Sequence, residues 1–333
     1  MGAGMGTAAG AAGVAVVIVP RERFSFVERS LESVLAHTTH PHELIYVDGR
    51  SPARVGRYLK ARAASADFRL IRTPHHLTPN EARNIGWRAT SARYVVFVDN
   101  DVLVTPGWLE ALVACADETG AWLVGPTSCI GEPTATLVHM AGGQAKIAVK
   151  DGRRVLVDEH GFENRRLDAV RSQMHRKPTG LIEFHTALVR REVFDRLGPL
   201  DEALRSTREH IDLSLAVQQA GGEIWFEPAS VVTYVPPPPF RWFDVPYFLV
   251  RWSEAWNTAS LQHFRKKWEL GDDDPALLVQ NEWLRRHRHI ILAPLTSLVS
   301  RLFGEAWGER LLRRVLAPAE VLVNRLAVSG RKR

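Results

Sequence analysis

The chain has 333 residues, 45% hydrophobic and 24% charged, a balance that excludes a disordered or membrane-embedded polypeptide and suits one large α/β domain with room for a helical appendage. Two cysteines, Cys115 and Cys129, exclude a disulfide framework and have no metal-ligand spacing, so a reducing cytoplasm is the expected setting. The net charge of +6 is local: residues 284–333 carry 11 Lys/Arg against 3 Asp/Glu, and the other 283 residues carry 32 against 34. The basic tail suits an anionic membrane surface or an acidic partner, the plainer reading being a solvated tail on a packed helical subdomain, and no nucleic-acid partner is expected. Met1–Gly13 is Gly/Ala-rich, lacks the basic and apolar regions of a signal peptide, and is expected to be a disordered leader. No run approaches the ~20 apolar residues of a membrane span. The chain is therefore expected in the cytoplasm, either free or peripheral at the inner face of the membrane.

Val14–Val19 is a β-branched run of the kind buried on both faces of a sheet, and Pro20 ends it. Ser25 and Glu28 form a capping-box pattern before Val27, Leu31, Val34 and Leu35, which recur at helical spacing. Leu44–Val47 is a second strand, stopping at Asp48-Gly49. Ala53–Ser65 is a basic helix, Arg69–Ile71 a third strand, and Asn80–Ala89 a helix. Tyr94–Val98 is the clearest buried strand and runs into Asp99-Asn100-Asp101. A helix starts at Pro106, and Trp122–Val124 is a fifth strand. The pattern weakens from residue 127 to 185. It returns as a strand-like Leu181–Arg190, a helix over Glu209–Ala220 and a strand at Ile224–Phe226. Pro236–Pro239 marks a boundary, followed by a helical region rich in Trp and Arg.

Strands alternating with helices predict βαβ units and a mostly parallel sheet, in which ligands bind at the carboxyl ends of the strands. The polar residues just past those ends are Arg21 to Arg23, Asp48 and Asp99 to Asp101. Asp99 and Asp101, at i and i+2 on a strand end, form a compact hard-oxygen pair able to hold Mg²⁺ or Mn²⁺ while a diphosphate completes the shell; the plainer reading is a solvated turn. Glu22 is placed to meet a base or ribose, or else to lie in a solvated loop. Glu183 and His185 fall on one face of their segment, with a core histidine as the plainer reading.

The order of these motifs resembles glycosyltransferase family 2, the nucleotide-sugar transferases of GT-A fold, over Val14 to Tyr234. The carriers are the opening strand with Pro20, LIYVDGRS at 44–51, NEARNIG at 80–86, YVVFVDND at 94–101, and Val189–Leu200 followed by Arg208–Leu213 and Ala220–Gly222. The resemblance implies a GT-A-like, Rossmann-like domain over 14–235 and a helical, basic extension over 236–333. It implies nucleotide-sugar contacts from Pro20, Arg21, Glu22, Asp48, Arg83 and Asp99, and metal ligation by Asp99 and Asp101. The catalytic base falls to Glu209 or His210. Three positions depart from the pattern: Arg50 enters the nucleotide loop, His210 stands where the family's catalytic Asp is common, and Tyr234 replaces a frequent His.

The reaction so implied moves a sugar from a nucleotide donor, UDP-linked by resemblance, to an acceptor hydroxyl on a glycan, glycolipid or small molecule. An inverting transfer needs a base for the attacking hydroxyl and positive charge on the leaving diphosphate, from a divalent cation and Arg83. Glu209 is the preferred base; His210 is the alternative, or else binds the acceptor or the metal. Two other classes share these features. A sugar-phosphate nucleotidyltransferase would need a Gly-rich basic loop after the first strand, which is missing here. A non-catalytic scaffold would explain the changes at His210 and Tyr234.

Overall fold

The computed structural model describes residues 13–329, so the leader expected over residues 1–13 falls, but for Gly13, outside the described residues. β1 (Val14–Val19) is buried along its whole length because its alternate residues serve two cores. Val14, Val16 and Ile18 pack on one face, Val17 and Val19 on the other. At about 1.5–3 kcal/mol per fully buried aliphatic side chain, such a strand is stable only in the middle of a sheet. α1 (Val27–His37), β2 (Glu43–Gly49), α2 (Ala53–Ala66), β3 (Arg69–Thr73), α3 (Pro79–Arg88) and β4 (Tyr94–Asp99) follow as βαβ units. Their strands pair in parallel in the order β3-β2-β1-β4. Leu31, Val34 and Leu59 bring α1 and α2 to one face, and Ala82 brings α3 to the other.

The second half comprises β5 (Val102–Val104), α4 (Trp108–Thr119), β6 (Leu123–Ile130), β7 (Val138–Met140), β8 (Gly143–Lys150), β9 (Arg153–His160), α5 (Leu167–Val170), β10 (Lys177–Pro178), β11 (Thr186–Arg190), α6 (Glu192–Leu197), α7 (Glu209–Gln219) and β12 (Ile224–Tyr234). β11 runs antiparallel between β4 and β6, and β12 lies parallel to β6, so parallel pairing in the first half gives way to a mixed second half. β8 and β9 form a separate hairpin. That hairpin accounts for the weak pattern over 127–185: Ala145 and Leu156 are its buried apolar residues and its other positions are partly or fully exposed, so alternation is diluted. The capping box expected from Ser25 and Glu28 does not form. Phe26 precedes α1 without a side-chain cap, and the backbone N–H of Ser25 donates instead to Asp244 Oδ1 at 2.9 Å. A side chain 219 residues away outcompetes the local partner.

Beyond the prolines the chain is helical: α8 (Val245–Arg251), α9 (Glu254–Lys267), α10 (Pro275–Arg288), α11 (Ala293–Phe303), α12 (Glu305–Leu311) and α13 (Ala317–Ser329). These helices are joined to the body by a shared core in which Phe264, Trp268, Leu270 and Leu277 pack with Leu204, Ile211 and Leu215. Among the described residues no helix is long and apolar enough to cross a membrane.

Candidate active site

The carboxyl ends of β1, β2 and β4 bring Pro20, Asp48 and Asp99 to one edge of the sheet, β1 lying between the other two. Asp48 accepts hydrogen bonds from the Ser51 N–H at 2.8 Å and the Ser51 hydroxyl at 2.9 Å, with Arg72 Nε 3.3 Å away. Burial pushes its carboxyl above the usual range, against those bonds and Arg72. The Pro20 carbonyl accepts the Tyr247 hydroxyl at 3.4 Å, so α8 reaches this edge.

Asp99 is the best-connected acid of the site. Arg83 Nη2 lies 3.0 Å from Oδ1, His185 Nδ1 3.2 Å from Oδ2, and Arg21 Nε 3.7 Å from Oδ2. Arg83 is delivered by α3, whose start is fixed by Pro79 and by a capping box in which Thr78 and Glu81 satisfy each other's backbone N–H. Its guanidinium sits over the Phe184 ring at 4.2 Å, with Nε and Nη1 buried and unbonded. Asp101 contrasts with Asp99. Its two carboxylate oxygens are buried without a hydrogen-bond partner, and burial, reinforced by Asp99 and Glu22, raises its carboxyl well above the ordinary range.

A cavity of about 510 Å³ opens beside this acidic edge. Arg21, Glu22, Glu183, His185, Glu209, His210 and Tyr234 line it. Glu209 opens α7 and stands 3.5 Å from Arg251 Nη2 and 3.8 Å from Arg21 Nη1. The turn into α7 is held by Arg208 in a left-handed conformation at φ 71°, secured by Asp158 Oδ2 at 2.7 Å and the Ala276 carbonyl at 2.8 Å. His210 Nε2 lies 3.7 Å from Glu183 Oε2. Burial lowers the His210 imidazole despite Glu183 and Glu209, which favours its neutral form. Burial also lowers His139, to about 3, with His185 adding to the effect. Burial alone would raise Glu22, but His287, 3.3 Å away, and Arg21 hold it at about 2.

The structure thus gathers Arg21, Glu22, Glu209 and His210 around one cavity, with Asp99 joined to its wall through Arg21 and His185 and holding Arg83 behind it. Pro20, Asp48 and Asp101 lie at the adjoining strand ends and do not line it. Several lining residues escaped sequence reading: His139, Asp158, His160, Trp252, Trp283 and His287. The last three belong to α10 and the end of α8, and the tryptophans scattered among basic residues were the available signal.

Two solved structures share this architecture. The mannosyltransferase PcManGT from Pyrobaculum calidifontis in complex with GDP-Man and Mn²⁺ superimposes with a TM-score of 0.52 at 16% identity, covering 97% of this chain and 87% of that one. S. aureus TarS 1-349 in complex with UDP-GlcNAc gives a TM-score of 0.53 at 12% identity, covering 93% and 79%. At these identities the likeness is one of fold, the GT-A arrangement. In sequence, the pre-mycofactocin glycosyltransferase of Mycobacterium tuberculosis is 26% identical over 171 residues, 51% of this chain and 33% of that protein. This chain therefore spans about a third of the length of that relative. The family model for glycosyl transferase family 2 matches residues 15–198, more than half of the chain, and the chain belongs to that family.

Proposed function

We propose that the chain transfers a sugar, with inversion, from a nucleotide-sugar donor to an acceptor hydroxyl, using a divalent cation. The observation that carries this reading is the Asp101 carboxylate, buried and unpartnered just past β4, two residues from Asp99, which pairs with Arg83. A buried carboxylate without a partner is costly, and a hard cation removes that cost through oxygen ligation. Asp101 offers free oxygens for Mn²⁺ or Mg²⁺, and Asp99 completes the acidic pair while holding Arg83 and His185. A bound divalent cation would supply positive charge to the leaving diphosphate. Arg83, with two of its nitrogens unbonded, supplies further positive charge next to it. Pro20, Arg21, Glu22 and Asp48 bind the nucleotide portion of the donor, for which UDP is the proposed carrier. The solved relatives in complex with UDP-GlcNAc and with GDP-Man and Mn²⁺ support this class of donor.

The acceptor hydroxyl enters the cavity and gives its proton to Glu209, the carboxylate at the start of α7. A second assignment is favoured by one observation: His210 lines the same cavity, and its burial favours the neutral imidazole, the form that can accept a proton. The exposed apolar and basic side chains of α11 and α12 support a peripheral position on an anionic membrane. Asp101→Asn tests the central claim. Transfer and donor hydrolysis with a panel of UDP-sugars and Mn²⁺ are expected to fall at least ~100-fold in kcat. The melting temperature without metal should match or exceed that of the parent, because a buried unpaired charge has been removed. Unchanged turnover would remove the cation role, and absence of metal-dependent UDP binding by the parent in calorimetry would favour a scaffold.

A further inference from the structure

Three imidazoles and one carboxylate from three separate segments line the cavity together. His139 comes from β7, Glu183 and His185 from the segment entering β11, and His210 from α7. One ligand atom from each of His139, Glu183 and His185 lies within 4.8 Å of the others. Around a tetrahedral divalent ion with bonds of ~2.0–2.1 Å, ligand atoms sit about 3.4 Å apart, so shifts of an ångström or so would close the set.

Local bonding pre-arranges these groups. Glu183 Oε1 accepts the Phe184 N–H at 2.8 Å, which fixes the carboxylate. Its Oε2 faces His210 Nε2 at 3.7 Å and His139 Nε2 at 3.9 Å, both beyond hydrogen-bond distance. Glu183 Oε2 thus stands near both imidazoles without a hydrogen bond to either. His185 Nδ1 lies 3.2 Å from Asp99 Oδ2 and its ring stacks on Tyr234 at 4.0 Å between centroids. With Nδ1–H donated to the carboxylate, Nε2 carries the lone pair. A carboxylate–histidine pair of this kind orients metal-ligating imidazoles and raises their basicity.

We propose that His139, Glu183 and His185 form a second cation site, chemically distinct from the all-oxygen site at Asp101. Two imidazoles and one carboxylate select a late first-row divalent ion of the Zn²⁺ or Co²⁺ class over Mg²⁺. Three protein ligands leave an open coordination position, and the cavity is on that side, so the occupant of that position is an oxygen of the acceptor or of water. Asp99 is a positioning residue for His185 here. The site shares Asp99 with the donor reading but requires neither a nucleotide nor Asp101, so cation binding without nucleotide separates the two.

The test is a metal titration of the untagged full chain after chelator treatment, in the absence of nucleotide. Co²⁺ is the probe, because its visible absorption reports coordination by nitrogen and oxygen ligands. Binding of one equivalent, competed by Zn²⁺ and not by Mg²⁺, is expected. His139→Ala and Glu183→Gln should each weaken Co²⁺ binding by at least ~10–100-fold, a loss in the range seen for supporting groups alone. Asp101→Asn should leave it unchanged. Apo melting temperatures of the variants establish that they fold, and Glu183→Gln preserves size should His139→Ala unfold. Equal Co²⁺ affinity in the parent and both variants, loss of binding in Asp101→Asn alone, or no stoichiometric Co²⁺ binding by the folded parent would each overturn the site.

Discussion

Glu22 and His287 lie 265 positions apart and meet 3.3 Å from each other in the cavity wall. Burial opposes ionisation of Glu22, yet His287 and Arg21 together bring its carboxyl to about 2, against an ordinary 4.5. A carboxyl depressed on folding adds stability that is complete above its unfolded value and lost as pH falls through its folded one. The window is therefore from about 4.5 down to 2, and the contribution at neutral pH is at most about 3 kcal/mol. Glu22→Gln is expected to lower the denaturation midpoint at pH 7, with the gap to the parent narrowing once pH drops below 4.5. A gap independent of pH would show that the pair does not act through charge. The base is decided at the same scale. Glu209→Gln should reduce kcat by about 10²–10⁴-fold, whereas His210→Asn should chiefly raise KM. The reverse pattern, with loss of one limb of the pH–rate profile in His210→Asn, would move the base to His210.

Helix α3 carries Arg83 to Asp99, and its distance from the sheet depends on one glycine. A Cβ on Gly86 would stand 2.2 Å from Val17 Cγ1, so α3 rests on β1 only because that position has no side chain. Gly86→Ala must push the helix away or displace Val17 in the middle of the core, costing about 1–3 kcal/mol. It should also weaken donor binding, because Arg83 moves with the helix; a variant with parental stability and affinity would refute the close approach. The NEARNIG run thus has a physical reading: a capped start, an arginine aimed at the acidic edge and a glycine for contact. The elements legible in the sequence were those whose information is local. β1, β2 and β4 declare themselves as unbroken apolar runs. β5, β7 and the β8–β9 hairpin did not, because short or half-exposed strands dilute alternation. β12 runs to Tyr234 past Pro228, where its register against β6 shifts, and a proline inside a run argued against so long a strand.

Across the whole molecule, the strand-end positions of Asp48 and Asp99 could be located from the sequence, since polar residues past buried strands mark the ligand edge of such sheets, whereas Arg83 on α3 entered only through the family resemblance. The other half of the site was not legible, because Trp252, Trp283 and His287 reach the cavity only through the docking of α8 and α10, a contact of long sequence separation with no local signature. That docking governs how the tail can be tested. Cutting the chain at residue 284 would remove His287 from the cavity and confuse catalysis with localisation. Substitution on the outer face of α11 and α12 avoids this. Leu295, Leu298, Leu302, Phe303 and Trp307 are each more than half exposed, and Arg301, Arg310, Arg313 and Arg314 accompany them. Apolar burial at ~25 cal/mol per Å² and about 1 kcal/mol per arginine near an anionic surface would suffice for reversible binding. The full chain is expected to float with vesicles containing phosphatidylserine, less so at high salt, and the Phe303→Glu, Trp307→Glu double variant should remain in the soluble fraction with its melting temperature and donor affinity intact. Equal flotation of the two proteins would take these helices out of any membrane role and leave their apolar face as a surface for some other partner.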